Sequence, residues 1–210
     1  MTAQKQIFLH IGHGKTGTSA FQAYLAIAKS SIAKNGYYYH AHPSMKDAQN
    51  LKTTAGNIIA NRPNTADTWF EDQVIKVVEQ NPGYHTYIFS GESAFHRMDA
   101  FFASFRKATA RGMHITVLLS VRNPFDMLES EYQQLIKRHG LTSSIDDFLA
   151  SRSYRCIHTE KSSRLISRML EHEVPFKIFN YTSLGRDISF ALAEQIGIAS
   201  LFPLDCIANK

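Results

Sequence analysis

The run Gly12-His13-Gly14-Lys15-Thr16-Gly17-Thr18-Ser19 sits between a short apolar stretch, Gln6 to Ile11, and a segment that carries Phe21, Tyr24, Leu25 and Ala28 at helical spacing. A glycine-rich turn that leaves a buried strand and opens a helix offers backbone N–H groups and the positive helix end to an anion. That placement belongs to α/β architectures, and the rest of the chain follows the same rhythm of apolar runs alternating with helical segments. At 210 residues the chain is long enough for one sizeable core and short for two, so a single domain over 1–210 is expected.

Further strands are expected at Tyr37 to His40, Tyr84 to Ser90, Ile115 to Val121 and Phe176 to Asn180. The third of these is too continuously apolar to face water on either side, which gives it an interior position in a parallel sheet. Helices are expected over Thr18 to Lys34, Ala66 to Gln80, Ala94 to Arg111, from Asn123-Pro124 to Arg138, over Ser144 to Ala150, Lys161 to Glu173 and Ser183 to Ile196. Asn123 is a capping residue, Pro124 suits the first helical position and Asp126 the first turn. In the polar stretch Pro43 to Asn64 the middle could be helical. Phe95, Phe101, Phe102 and Phe105 read as core, whereas three consecutive tyrosines, Tyr37 to Tyr39, must point to both faces of a strand.

In the loop, glycines let the backbone approach an anion closely, Lys15 supplies charge, and Thr16, Thr18 and Ser19 supply short hydroxyls. The order of residues departs from the nucleoside-triphosphatase pattern, because Lys15 precedes Gly17 instead of following it. In that pattern the lysine is followed by a magnesium-binding Ser or Thr, and a strand-end acid assists. Here the strongest strand ends in Val121-Arg122, a cation where a metal site would want a carboxylate. An anion site that requires no metal is the reading that follows.

Two segments together bring the chain close to a known family. Ile11 to Ser19 resembles the 5'-phosphosulfate loop of the sulfotransferases that use 3'-phosphoadenosine 5'-phosphosulfate (PAPS), in which Lys-Thr-Gly-Thr is a frequent core. Leu118 to Tyr132 resembles the 3'-phosphate motif of the same family: an apolar strand, Arg122, Asn123-Pro124, then Ser130 about two helical turns on. A guanidinium at a strand end and a hydroxyl on the following helix can converge on one phosphate. Tyr181-Thr182-Ser183-Leu184 stands where relatives often have a Tyr-Glu-Asp-Leu-like segment. The resemblance implies a three-layer sandwich, a P-loop-like sulfotransferase fold with a central parallel sheet of about five strands flanked by helices. It also implies PAPS as donor, held by Gly12, Gly14, Lys15, Thr16, Gly17, Thr18, Ser19, Arg122 and Ser130.

The implied reaction moves a sulfuryl group by in-line displacement to a hydroxyl or amine of a small-molecule or glycan acceptor. Lys15 would serve the leaving side. For the base, Glu92 at the end of the third strand is the first choice, with His42 and His40 open; Glu92 could instead only compensate charge near a helix start. His13 could touch the sulfonate, and His96 and Arg97 are acceptor-side candidates. Two departures stand out: Ser93 replaces a lysine found in some relatives, and no basic, glycine-containing lid is recognisable near the C-terminus. A P-loop kinase or nucleotide hydrolase and a non-catalytic module binding PAPS or its product remain the competing readings.

The charge balance, 23 Lys+Arg against 18 Asp+Glu, suits an anionic ligand without implying nucleic acid, for which no motif is present. Cys156 and Cys206 have no metal-type spacing and read as free thiols. Near the N-terminus the apolar run Ile7-Phe8-Leu9, ended by His10, is too short for a signal peptide core and far short of a membrane span, so a cytoplasmic location is expected. Oligomeric state is not legible.

Overall fold

The computed structural model describes residues 4–40, 56–57, 70–151 and 157–202, with the backbone alone at 151, 157–159 and 186. Five strands, β1 (Lys5–Gly12), β2 (Tyr37–Tyr38), β3 (Thr86–Ser90), β4 (Met113–Val121) and β5 (Phe176–Asn180), form one sheet in the order β2-β3-β1-β4-β5. Every pairing is parallel. β1 is therefore the middle strand, and the loop that follows it emerges at the carboxyl edge of the sheet, where open parallel sheets bind ligands.

Alternation along the strands divides the core in two. Ile7, Leu9 and Ile11 of β1, Tyr87 and Phe89 of β3, and Met113, Ile115, Val117 and Leu119 of β4 bury one face. Ile88 and Leu118 belong to the other, with Phe8 packed against it. The second face is covered by α1 (Thr18–Ile27), α2 (Lys29–Lys34) and α10 (Ile188–Ile196), through Phe21, Leu25, Ile32, Leu192 and Ile196. The first lies under α3 (Lys76–Gln80, preceded by a π turn at Glu71–Ile75), α4 (Glu92–Phe95), α5 (Phe102–Ala110) and α8 (Ile157–Glu171). Three further helices, α6 (Pro124–His139), α7 (Ile145–Ser151) and α9 (Tyr181–Leu184), lie between β4 and α10 in the sequence. Helices thus flank both sides of a parallel sheet, the three-layer architecture expected.

The tyrosine triplet alternates as a strand must: Tyr39 is buried with the second face, and Tyr38 packs on the first. Burial pushes the Tyr39 phenol up from its usual range. Phe95, Phe101, Phe102 and Phe105 are all core.

The one long helix expected over Ala94 to Arg111 is in fact α4, a 3-10 turn at Met98–Ala100, and α5. The reason lies in the apolar spacing. Phe95, Met98 and Phe101, all fully buried, recur every three residues, the period of a 3-10 turn, before Phe102, Phe105 and Ala108 resume helical spacing. The first helix likewise breaks at Ala28 (ψ 0°), yet Leu25, Ala28 and Ile32 stay on one buried face. Among the described residues no helix is long and apolar enough to cross a membrane.

Candidate functional site

The loop after β1 is shaped by contacts that only small residues permit. A Cβ on Gly12 would stand 2.8 Å from the Ser120 carbonyl oxygen and 2.9 Å from the Thr16 hydroxyl. Gly17, the residue just before α1, has φ +75°, and a Cβ there would meet Ile188 at 2.8 Å and the Tyr181 ring at 3.0 Å. Lys15 also takes a positive φ, 71°, a conformation uncommon outside glycine. No side chain caps the N-terminus of α1 and none of its own first-turn residues is acidic, so its orphan N–H groups point at the loop, with the Glu92 carboxylate the one acid bonded to its first residue among those described.

The three hydroxyls expected to meet an anion divide. Thr16 is fully buried and donates to the His13 carbonyl (2.7 Å), so it holds the loop's shape. Thr18 donates to Glu92 Oε1 (2.7 Å). Ser19, half-buried on the first turn of α1, keeps its hydroxyl unengaged by any described residue. His13 is buried against the edge of Phe95, and its Nδ1 donates to the Gly14 carbonyl at 2.9 Å. Burial lowers its pKa below the ordinary imidazole range, with Arg122 and His96 lowering it further against the Gly14 hydrogen bond and Glu92.

Arg122 comes to the same place. Its Nη1 donates to the Lys15 carbonyl at 3.1 Å, across 107 residues of sequence. The guanidinium lies over the Tyr181 ring, 5.0 Å from its centroid, and its Nε is buried with no partner among the described residues. An orphaned donor beside an uncapped helix start fits an acceptor-rich anion such as phosphate. The helix after Arg122 forms as expected: Asn123 caps it by accepting from the Phe125 amide at 2.9 Å, with Pro124 at its first position. Ser130 is half-buried on α6, and its hydroxyl makes no bond to a described residue. The segment after β5 joins here too, because the Thr182 hydroxyl accepts from the Asn123 amide (2.9 Å) and donates to Asp126 (3.0 Å).

The Lys15 ammonium is lowered from its ordinary pKa by burial first, then by Arg138, with Glu92 opposing and Arg122 adding to the depression. Sequence reasoning missed Arg138, whose place in Lys137-Arg138-His139 looks like an ordinary basic helix end. Glu92, in the first turn of α4, binds Thr18 through Oε1, while its Oε2 would be 3.8 Å from a Cβ on Gly14. The carboxylate therefore sits against the loop. His40 is exposed and stacked on Tyr38, with ring centroids 6.4 Å apart. His42 lies outside the described residues, as do Cys156 and Cys206.

Beneath the loop is a polar knot that sequence reasoning also missed. His10, fully buried on β1, reaches Ser90 Oγ of β3 through Nδ1 (2.8 Å) and Ser120 Oγ of β4 through Nε2 (3.0 Å). Gln22 of α1 donates to the same Ser90 hydroxyl at 3.0 Å. The signal was a histidine inside the otherwise apolar run Ile7 to Ile11. Desolvation lowers its pKa from 6.5 to about 3, so it stays neutral, one ring nitrogen donating and the other accepting. The knot ties together the ends of the two strands that lead to Glu92 and Arg122.

Because the folded value lies below the unfolded one, the unfolded chain takes up the proton first as pH falls. The stability that His10 contributes is complete above about pH 6.5 and is lost between about 6.5 and 3. The expected slope from this one group is at most ~1.4 kcal/mol per pH unit. Urea melts of wild type and His10→Gln between pH 7 and 5 should show the variant's slope shallower by an amount that rises to about one proton at pH 5; equal slopes would refute it.

No family model matches the chain, and no curated protein matches it. Among solved structures, the chain is similar to a sulfotransferase from Alicyclobacillus acidocaldarius at 16% identity and a TM-score of 0.51, over 97% of this chain and 85% of that one. The chain shares the sulfotransferase fold. Weaker likenesses are to retinol dehydratase in complex with androsterone and the inactive cofactor PAP (13% identity, TM-score 0.38, 93% of this chain and 59% of that one). Another is to the PezAT toxin-antitoxin system of Streptococcus pneumoniae (12% identity, TM-score 0.39, 84% and 69%). On the sulfotransferase fold, the Lys15 loop and Arg122 meet at the carboxyl edge of the sheet, β1 supplying one and β4 the other.

Proposed function

We propose that this chain, acting as a single domain, is a sulfotransferase that takes PAPS as donor and passes the sulfuryl group to a hydroxyl or amine of a small-molecule or glycan acceptor. The observation that carries the reading is the hydrogen bond from Arg122 to the Lys15 carbonyl, 3.1 Å long. Two anion-binding segments from distant parts of the sequence meet there, as a ligand with a phosphate at each end requires.

In this reading the free N–H groups opening α1 and the Ser19 hydroxyl hold the 5' end of the donor, and Arg122 with Ser130 holds the 3'-phosphate. The acceptor oxygen forms a bond to sulfur as the bond from sulfur to the phosphate oxygen breaks. Lys15 stabilises charge on that departing oxygen. Glu92 takes the acceptor's proton, with Oε1 steadied by Thr18 and Oε2 turned to the loop. The Thr18–Glu92 bond equally suits a carboxylate with a purely structural duty, and thereby a module that binds PAPS or its product without turnover.

Adenosine 3',5'-bisphosphate (PAP), the desulfated product, is the direct probe. At about 100 times its Kd and without magnesium it should stabilise the fold by ~2.7 kcal/mol, a rise of about 5–10 °C in Tm. ADP, which lacks the 3'-phosphate, should give less than about a third of that rise. Equal shifts from both, or a shift seen only with magnesium and ATP, would overturn the proposal in favour of a nucleoside-triphosphate site.

A further inference from the structure

One aromatic ring separates the loop from a lysine that the site as described does not use. The Phe95 ring, at the end of α4, meets the ring of His13 at 5.9 Å and carries the Lys161 ammonium 5.7 Å from its centroid on α8. Lys161 Nζ donates to the His96 carbonyl at 2.8 Å. That is its hydrogen bond among the described residues, and no carboxylate there pairs with it. One turn along α8, by contrast, Arg164 is paired with Asp99 at 2.9 Å.

An ammonium has three donors, and one carbonyl satisfies one of them. The acid that acts on it, Asp99, is itself bonded to Arg164 at 2.9 Å, so the Lys161 donors beyond the one on the His96 carbonyl can still meet a further anion. Burial and Arg164 lower the Lys161 pKa, against Asp99. His96 bonds Lys161 through its carbonyl, and Glu92 lies one turn earlier on the same short helix. Arg97, the next residue, is half-buried and pairs with no described acid. Lys161 therefore stands on the Glu92 and Phe95 flank of the loop, whereas Arg122 approaches through the Lys15 carbonyl.

We propose that Lys161 is an anion-binding subsite for the acceptor, so that the molecule receiving the sulfuryl group carries a carboxylate or a sulfate ester of its own. This rests on the sulfotransferase reading, because only that reading makes the Glu92 flank the acceptor side. A neutral steroid-like or phenolic acceptor would make no use of the ammonium's remaining donors.

The test is calorimetric binding of three 4-nitrophenyl glycosides to the full chain saturated with PAP: the β-glucuronide, the 6-sulfated β-glucoside and the neutral β-glucoside. At least one acidic glycoside should bind about tenfold or more tightly than the neutral one. Lys161→Gln should abolish that preference while leaving the neutral glycoside's affinity and the PAP-induced Tm shift unchanged, and Lys161→Arg should keep most of it. No preference for either acid in wild type, or a preference that survives Lys161→Gln, overturns the subsite. Failure of the donor reading looks different: PAP gives no Tm shift, yet the acid preference still disappears in Lys161→Gln.

Discussion

Lys15→Ala should reduce transfer of labelled sulfate from PAPS by about 10²- to 10³-fold in kcat, the usual scale for removing one charge that stabilises a departing oxygen. The side chain is suited to that task by its surroundings. It is held on a loop residue with φ 71°, a shape fixed by Thr16 bonding the His13 carbonyl and by Arg122 bonding the Lys15 carbonyl. Burial and the neighbouring Arg138 and Arg122 weaken the ammonium's hold on its proton, so it is a better donor to a developing oxyanion than a solvated lysine. The assay is single-turnover transfer to a mixed panel of hydroxyl and amine acceptors, with Glu92→Gln alongside. Both variants should still bind PAP, since neither removes the α1 N–H groups. Transfer that persists at the wild-type rate in Lys15→Ala would remove the lysine from the chemistry, and no transfer by wild type to any acceptor would favour a binding module.

Arg122→Ala should weaken PAP by about 10- to 100-fold, the loss expected when a charged hydrogen-bonding partner of a phosphate is removed. Among the described residues its guanidinium has one bond, to the Lys15 carbonyl, and rests on Tyr181, with Nε lacking any partner. Little of the fold depends on it: no described acid pairs with it, and the side chain is half-buried. Isothermal calorimetry with PAP, beside a thermal melt of the free protein, separates the outcomes. A large drop in Tm with unchanged PAP affinity would make Arg122 a structural brace for the loop and nothing more.

The strands were legible because each is a compact apolar run. Ile115 to Val121 falls inside β4, Gln6 to Ile11 inside β1, and Phe176 to Asn180 coincides with β5. Helix continuity was less so. A period of three at Phe95, Met98 and Phe101 looks like a helical stripe until packing shows that all three must reach the same core. In the candidate site, the meeting of the loop and Arg122 could be anticipated from residue order, since one segment follows β1 and the other ends β4 at the same edge of the sheet. Which hydroxyls remain available could not. Thr16 and Thr18 donate their hydrogen bonds to a carbonyl and a carboxylate that only folding brings near. His10, Arg138 and Lys161 escaped because their meaning comes from neighbours on other elements: two serines on flanking strands, a lysine on the loop, a phenylalanine ring on α4.

Tyr181 touches both halves of the candidate site: its ring would lie 3.0 Å from a Cβ on Gly17 and stacks beneath Arg122. A rigid plate wedged between a helix start and a strand-end cation sets their separation as the chain folds, before any ligand arrives. Such a spacer works as a gauge. In the proposed reading it would favour molecules whose two charged ends match a fixed interval, and would spare the ligand the entropic cost of drawing two loose halves together.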